Sequence, residues 1–268
     1  MKALRQHLFF EFRSGWRNRS LLLLYYLFPM AFYVFMGLVM TELAPDFRSF
    51  LLPAMVVFAI LSAEILGLPN PLVEAREGGV LRSFHIHGIS SWSILGVASI
   101  TSALHSLVVC TLIAFSAPLL FGASTPNSWG AVFVVTVATV LAYAGLGTLI
   151  GVISAGPRTT IMWSQLVYMP SFLLGGVMIP SELLPDGLQQ IGWLLPSTHA
   201  MLAYRTLAYG ETMAYHAGYG LLTLLLGACI SWLLAGFLFR WDSHRNQPLR
   251  YPFLIVGAVL PYAAWLLV

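Results

Sequence analysis

Residues 88–157 contain no aspartate, glutamate, lysine or arginine, and this uncharged stretch constrains the fold more than any other feature. A helix that crosses a bilayer needs about 20 mainly apolar residues, so the stretch is long enough for two. A cluster of turn-forming residues at 122–128 divides it into predicted spans near 92–121 and 129–155. A domain in water cannot hide so much apolar surface, since even about 300 residues bury only about 75% of what they expose when unfolded.

The chain as a whole is also rich in apolar residues and poor in charged ones. Of its 268 residues, 59% are hydrophobic and 9% are charged, whereas a soluble domain carries about 25% charged residues. This composition excludes a soluble enzyme, a disordered protein and a secreted disulfide scaffold. The sequence therefore predicts an all-α integral membrane protein with six spans. The remaining four lie at 21–40, 50–69, 159–180 and 215–239, and a shorter segment at 251–268 is either a seventh span or a re-entrant segment.

The positions of lysine and arginine predict the orientation of the spans, because cytoplasmic loops carry an excess of both. With the N-terminus inside, only two of the 13 basic residues, Arg48 and Arg205, fall in outer segments. We therefore predict a cytoplasmic N-terminus. The net charge of +3 then reflects membrane topology, and we predict no nucleic-acid partner.

Residues 1–19 precede the first span and carry a large apolar side chain at every fourth position, at Leu4, Leu8, Phe12 and Trp16. This period predicts an amphipathic helix that lies in the inner interface of the membrane, against lipid. The alternative is an ordinary cytosolic start with a chance pattern.

The loop after the second predicted span begins with Pro69 and Pro71, which we expect to stop the membrane helix. Charged residues then alternate with apolar ones, and this pattern favours a short surface helix over about residues 74–87. Such a helix suits docking onto a cytosolic partner, with an apolar anchor inside a charged rim. The alternative is a loop that is polar only because it lies outside the membrane.

The outer segment before the last predicted span contains residues 187–195, which are too few to cross the bilayer and too apolar for an ordinary loop. We predict a re-entrant or interfacial helical hairpin over about 181–210. Its backbone must pack on protein to satisfy its polar groups. At the outer mouth, such a hairpin is placed where a lid would sit.

These two segments resemble the permease family of ABC-2 type exporters, the membrane subunits of ATP-driven export systems. The family's inner loop reads Arg-Glu-x-Gly-Thr-Leu followed by Pro-hydrophobic-Ser, and this chain matches it over residues 76–81 and 88–90 except at Val80 and Gly88. The outer signature is a glycine-rich stretch, a proline, Leu-Pro, and then Pro-x-Thr-His with a later arginine. The matching residues are Gly175, Gly176, Pro180, Leu184, Pro185, Pro196, Thr198, His199 and Arg205. The resemblance covers roughly residues 1–240.

The resemblance implies a six-span domain of the type V exporter kind over residues 20–240, preceded by an N-terminal elbow helix. Two copies, as a homodimer or a heterodimer, would face each other in the inner membrane of a bacterial or archaeal cell. A coupling helix would dock on a separate ABC ATPase subunit. This chain has no GxxxxGK[ST] phosphate loop, so we expect it to bind no cofactor, with ATP and magnesium on the partner. The implied ATPase-coupling residues are Glu74, Arg76, Glu77, Gly79, Leu81, Arg82 and Phe84.

In this family the second and fifth spans line the central path. The candidates at helical spacing are Met55, Phe58, Ser62, Glu64, Ile65, Gln165, Tyr168 and Phe172. A stripe of aromatic and methionine residues is also typical of ordinary packing, so that alternative stays open. The implied outer gate comprises Gly175, Gly176, Pro180, Pro185, Pro196, His199 and Arg205.

Glu64 is the only acidic residue well inside a predicted span. A charge at the bilayer centre costs at least about 2.5 kcal/mol, so its presence needs a reason. We favour an inward-facing pairing role at the base of the path, with Arg158 as the candidate partner, and the alternatives are direct contact with substrate and snorkelling to the inner surface. Gly145, Gly147 and Gly151 offer close helix contacts, either within the chain or between protomers.

Three function classes remain to be weighed. The resemblance favours an export permease for a hydrophobic or amphipathic solute, such as a drug, a lipid or a lipid-linked saccharide. An ion-driven secondary transporter would need several intramembrane ionisable groups or inverted repeats, and the sequence offers one acid. A membrane enzyme is disfavoured, since no paired carboxylates or nucleophile–base spacing is found. His85 and His87 lack a third ligand nearby, so we predict no metal site.

Overall fold

The computed structural model describes residues 18–212, 217–242 and 256–264, and the regular structure in these ranges is helical, with no strand. The predicted interfacial helix over 1–19 falls outside the described residues except for its last two positions. Of the predicted segment 251–268, only residues 256–264 are described.

Ten helices are numbered here in chain order. Three of them contain or continue into a π-helical turn, in which the backbone is wider than in an α-helix. They are α1 (Arg19–Leu43), α2 (Phe47–Glu77), α3 (Val80–Ile86), α4 (Ser91–Phe121), α5 (Trp129–Ile153), α6 (Pro157–Leu174), α7 (Asp186–Gly192), α8 (Pro196–Ala203, then π-helical over Tyr204–Ala208), α9 (Ala217–Leu238) and α10 (Leu260–Ala263).

Within the described residues, the five helices α1, α2, α4, α5 and α9 are long and apolar enough to cross a membrane. The expectation of a multi-pass membrane protein is therefore confirmed. The predicted count of six spans is not. Helix α6 occupies the place of the predicted fifth span, but its 18 residues include Arg158 and Gln165 and it ends at Leu174, well before residue 180.

Helices α1, α2, α4 and α5 alternate in direction and α9 runs parallel to α5, which gives the bundle two distinct ends. The short helix α3 lies at the end where α2 and α5 finish, and we call this the α3 end. At the opposite end, which we call the hairpin end, the α1–α2 and α4–α5 loops meet the segment after α8. There the amide of Ser124 donates to the carbonyl of Arg48 at 3.0 Å, and the side-chain amide of Asn127 donates to the carbonyl of Tyr209 at 2.6 Å.

Helix α2 occupies the centre of the bundle, with 94% of its apolar stretch buried, and α5 packs along it. Glycines allow this close approach. A Cβ built on Gly147 would lie 2.0 Å from the main-chain oxygen of Glu64, and one on Gly151 would lie 3.0 Å from Leu72. Gly145 instead faces Trp232 on α9. These contacts are all within one chain, which decides between the two alternatives left open by the sequence.

Pro69 and Pro71 do not end the second membrane helix, contrary to our expectation. The chain is π-helical over Ser62–Gly67, bends at residue 68, and restarts as an α-helix with Pro69 in its first turn. Proline is tolerated there because the first amides of a helix have no partner within it. The amide of Leu68 donates to the carbonyl of Ala63 at 3.0 Å across this turn, and α2 continues to Glu77.

Candidate functional site

The predicted surface helix over 74–87 is two helices, and the expectation of a single helix is wrong. Residues 74–77 form the last turn of α2, and α3 begins at Val80. Gly79 lies between them with φ of 73°, a left-handed conformation that glycine adopts without a steric penalty. The chain therefore turns sharply at the glycine pair and presents α3 as a separate element.

Arg76 ties this corner to the end of α5. Its side chain is only 4% exposed. One guanidinium nitrogen donates to the carbonyls of Gly151 and Val152 at 3.2 and 3.1 Å, and the other donates to Ser154. The last carbonyls of a helix have no partner within it and carry a partial negative charge. Arg76 thus caps the C-terminus of α5.

Helix α3 is further held by contacts with the bundle and with the residues after α9. Leu81 is buried in an apolar cluster at the α3 end, and Phe84 packs against that cluster. The ring of His85 lies 4.4 Å from that of Trp241, between centroids. An exposed ion pair joins Arg82 and Asp242 at 3.9 Å, and a pair of that kind adds little stability.

The outward surface of this corner combines charges with two apolar side chains. Val80 is 45% exposed and Ile86 is 76% exposed. We call the exposed residues Glu74, Glu77, Val80, Arg82 and Ile86 the docking face. Of the predicted coupling residues, Glu74, Glu77, Gly79 and Arg82 are exposed, Phe84 is half-buried, and Arg76 and Leu81 are buried. Sequence reasoning missed Ile86 as an exposed candidate, although its position one turn beyond Arg82 would have indicated it.

Glu64 lies at the heart of the bundle, with its side chain fully buried. The hydroxyl of Ser102 donates to one carboxyl oxygen at 2.7 Å, and that of Ser106 donates to the other at 2.9 Å. The suggested ion pair with Arg158 is absent among the described residues. Arg158 is exposed in the first turn of α6, beyond the end of α5, whereas Glu64 lies level with Gly147 inside α5.

Further polar groups surround Glu64, and together they form a buried polar cluster. The hydroxyl of Tyr26 is 2.7 Å from Nδ1 of His105, and the ring of Tyr25 stacks on that imidazole at 5.4 Å. Ser102, His105 and Ser106 share one face of α4. Sequence reasoning did not find the two serines, although their i, i+4 spacing in an apolar helix was a usable signal.

The other predicted path residues do not share a surface with Glu64. Phe58 contacts Phe32 at 4.2 Å and Phe172 at 5.4 Å, between ring centroids, and Tyr168 stacks on Phe172 at 6.1 Å. This aromatic cluster joins α1, α2 and α6, whereas Glu64 faces α4. Met55, Ser62 and Ile65 are buried in the core, and Gln165 is exposed on α6.

The residues predicted for the outer gate are spread through the hairpin end. The turn after α6 is close to α8: a Cβ on Gly175 would lie 1.8 Å from the hydroxyl of Ser197, and Gly176 has φ of 77°. Every residue of the α-helical part of α8, Pro196–Ala203, is buried, with Pro196 and His199 among them. Pro185 is exposed and Pro180 is half-buried.

Arg205 lies in the π-helical part of α8 and bridges two carboxylates. Its Nε donates to Glu211 at 2.8 Å, and one terminal nitrogen donates to Glu182. Partial burial alone would raise the pKa of Glu182, but the hydrogen bond from Arg205, with smaller electrostatic contributions, outweighs it, so that pKa is lowered. Glu182 is therefore ionised at neutral pH.

Comparison with known proteins gives the family. A family model described as "ABC-2 family transporter protein" matches residues 41–238, which is well over half of the chain. The chain belongs to the ABC-2 transporter family. The match includes the docking face and, within the buried polar cluster, Glu64, Ser102, His105 and Ser106, and it confirms the resemblance found in the sequence.

A curated relative supports the same conclusion. The chain is 29% identical over 203 residues to a protein named "Putative transport permease YvfS" from Bacillus subtilis (strain 168), a match that covers 74% of this chain and 82% of the relative. No solved structure matches it. Membership of the ABC-2 family makes this chain a transport permease component and implies an ABC transporter with an ATPase partner.

Proposed function

We propose that this chain is the membrane subunit of an ABC exporter, and that it moves a hydrophobic or amphipathic solute by alternating access. A separate ATPase subunit binds ATP and magnesium and supplies the energy. Two permease copies form the path, with the α3 end in the cytoplasm of a bacterial or archaeal cell. ABC-2 family membership supports the transport role, and the excess of lysine and arginine at the α3 end supports the orientation.

The docking face is the single observation that carries this proposal. It exposes two large apolar side chains, Val80 and Ile86, beside three charged ones. Stable contacts between proteins commonly combine a small apolar centre with a polar rim. Because Arg76 and Leu81 anchor the corner inside the fold, a force applied to the docking face would reach α2 and α5 directly.

We expect a Val80→Asp and Ile86→Asp double variant to lose its ATPase. Each aspartate would bury an unpaired charge in the contact, which disrupts binding strongly. The measurement is copurification of a Walker-type ATPase with the tagged permease from its native host, followed by ATP hydrolysis of the eluate. We expect at least a tenfold loss of both, an effect of roughly 1.4 kcal/mol or more.

Leu183→Asp is the matched control, since Leu183 is 73% exposed but lies at the hairpin end. It should copurify with the ATPase as the unchanged chain does. Retention of the ATPase by the double variant would overturn the assignment of the docking face as the ATPase contact. Absence of any ATPase from the unchanged complex would overturn the proposed function.

We further expect Glu64→Gln to impair transport more than assembly. Glutamine keeps the shape of the side chain, and its amide can still bond to both serine hydroxyls, so packing around α4 is preserved. The substitution removes only the ionisable carboxyl group. Vesicle uptake of the exported solute should fall, while the yield and melting temperature of the purified protein stay close to those of the unchanged chain. Normal transport by well-assembled Glu64→Gln protein would contradict this prediction.

An ion-driven secondary transporter is the second candidate, and the buried carboxylate of Glu64 is the observation that favours it, because intramembrane acids often mark ion or proton paths. The two candidates differ in their energy source. Transport in vesicles that persists without ATP and follows an imposed proton gradient would favour the second one.

A further inference from the structure

A cleft of about 460 Å³ opens at the hairpin end, between the α1–α2 loop and the segment that follows α6. Its volume lies in the range of small-molecule binding sites. Three separate parts of the chain form its walls. They contribute Met40, Ala44, Asp46, Phe47, Ser49, Phe50 and Pro53 from α1, α2 and the loop between them, Met178, Ile179, Pro180, Glu182 and Leu183 from the segment that follows α6, and Arg205 and Glu211 from the π-helical end of α8 and the residues after it.

The floor of the cleft is apolar and aromatic. Phe47 is buried and Phe50 is half-buried, and their ring centroids are 5.5 Å apart. Met40 and Met178 border them. Aromatic rings attract cations through their negatively charged faces, and methionine side chains adapt to ligands of different shape.

The rim of the cleft carries a negative charge. Three carboxylates line it, those of Asp46, Glu182 and Glu211, against one guanidinium, that of Arg205. Arg205 donates to both glutamates, which leaves its positive charge already paired. Arg48 is next to Phe47 in the chain but does not line the cleft. The rim therefore attracts a cation and repels an anion.

We propose that this cleft binds an amphipathic organic cation, with its apolar body on the phenylalanine and methionine floor and its charge toward the rim carboxylates. The inference rests on the proposed function in one respect: the role of the cleft would be the place where an exported solute leaves the protein. Binding itself needs neither ATP nor the ATPase, so it is measured on the permease alone.

The test uses two ions of nearly the same shape and opposite charge, tetraphenylphosphonium and tetraphenylborate. Their binding to the purified full-length chain in detergent is measured by calorimetry at low salt and at high salt. We expect saturable binding of the cation, at least about tenfold tighter than that of the anion, weakened by salt because exposed charges are screened.

Asp46→Lys locates the site, since Asp46 lies on the rim and its side chain caps no helix amide. We expect this variant to lose about tenfold or more in cation binding and to shift toward the anion. Glu42→Lys is the matched control: Glu42 is an exposed acid at the same end that does not line the cleft, and its replacement should leave the preference unchanged.

Three results would overturn the inference: equal binding of both ions, tighter binding of the anion, or the same effect from Glu42→Lys as from Asp46→Lys. Melting temperatures of both variants show whether each one is folded. If Asp46→Lys does not fold, Asp46→Asn is the replacement and should weaken cation binding without inverting the preference. None of these results bears on ATPase copurification, so a failure here and a failure of the proposed function are distinguishable.

Discussion

Replacing Gly147 by alanine should prevent normal assembly of the bundle. The added Cβ would lie 2.0 Å from the main-chain oxygen of Glu64 and 3.3 Å from Leu68. The first neighbour is backbone in α2, the most buried of the five long helices that the structure describes, so it cannot rotate away as a side chain could. Overpacking in a dense core costs about 1–3 kcal/mol or more. We expect a large drop in the yield of folded protein and in its melting temperature in detergent.

The same carbonyl explains why the contact is so close. In a π-helical turn the oxygen of Glu64 would accept from the amide five residues later, but that residue is Pro69, which has no amide hydrogen. The freed oxygen points at Gly147, where a weak Cα–H···O contact can form. A larger residue would push α5 away from the buried polar cluster.

Gly96→Ala is the control for Gly147→Ala. Gly96 also lies inside a long apolar helix, α4, but a Cβ there would have its nearest neighbour 4.0 Å away, at Trp232. Since alanine favours a helix over glycine by up to about 1 kcal/mol, this variant should be neutral or slightly stabilising. Equal melting temperatures for the two variants would show that α5 does not pack as closely against α2 at Gly147 as described.

The membrane class and the positions of the main helices could be predicted from the sequence, because apolar length decides them. The predicted span at 129–155 differs from α5 by only two residues at its end. The predicted fifth span is not confirmed for the same reason: polar groups such as Arg158 and Gln165 keep α6 below the apolar content of the other five. Composition therefore predicts the strong spans well and the weak one poorly.

The contacts of the candidate site could not be predicted in the same way. Glu64 stood out as a buried acid, but its partners, Ser102 and Ser106, lie on another helix and depend on how α2 and α4 are rotated. Similarly, a motif match marked Arg76 as a surface residue. Its burial depends on where α5 ends, and neither the motif nor its spacing contains that information.

Replacing Arg76 by methionine should detach the α3 corner from the bundle. Methionine has a similar length but no donor, so the carbonyls of Gly151, Val152 and Ser154 would lose the guanidinium that now satisfies them. A hydrogen bond to a charged group contributes about 1.5–3 kcal/mol, and buried groups left without a partner add a further penalty. We expect a lower melting temperature and faster amide exchange in α3 and in the last turn of α5.

Arg82→Met separates this structural role from a direct one. Arg82 is on the docking face, with its side chain 72% exposed and only a long ion pair to Asp242. Its replacement should leave the melting temperature and the exchange of α5 unchanged, and should affect only ATPase binding. Both variants are thus expected to weaken ATPase binding, but only Arg76→Met through the loss of local structure. Unchanged amide exchange in Arg76→Met would contradict the capping role. The effect of Arg76 on ATPase binding would then be direct, like that of Arg82.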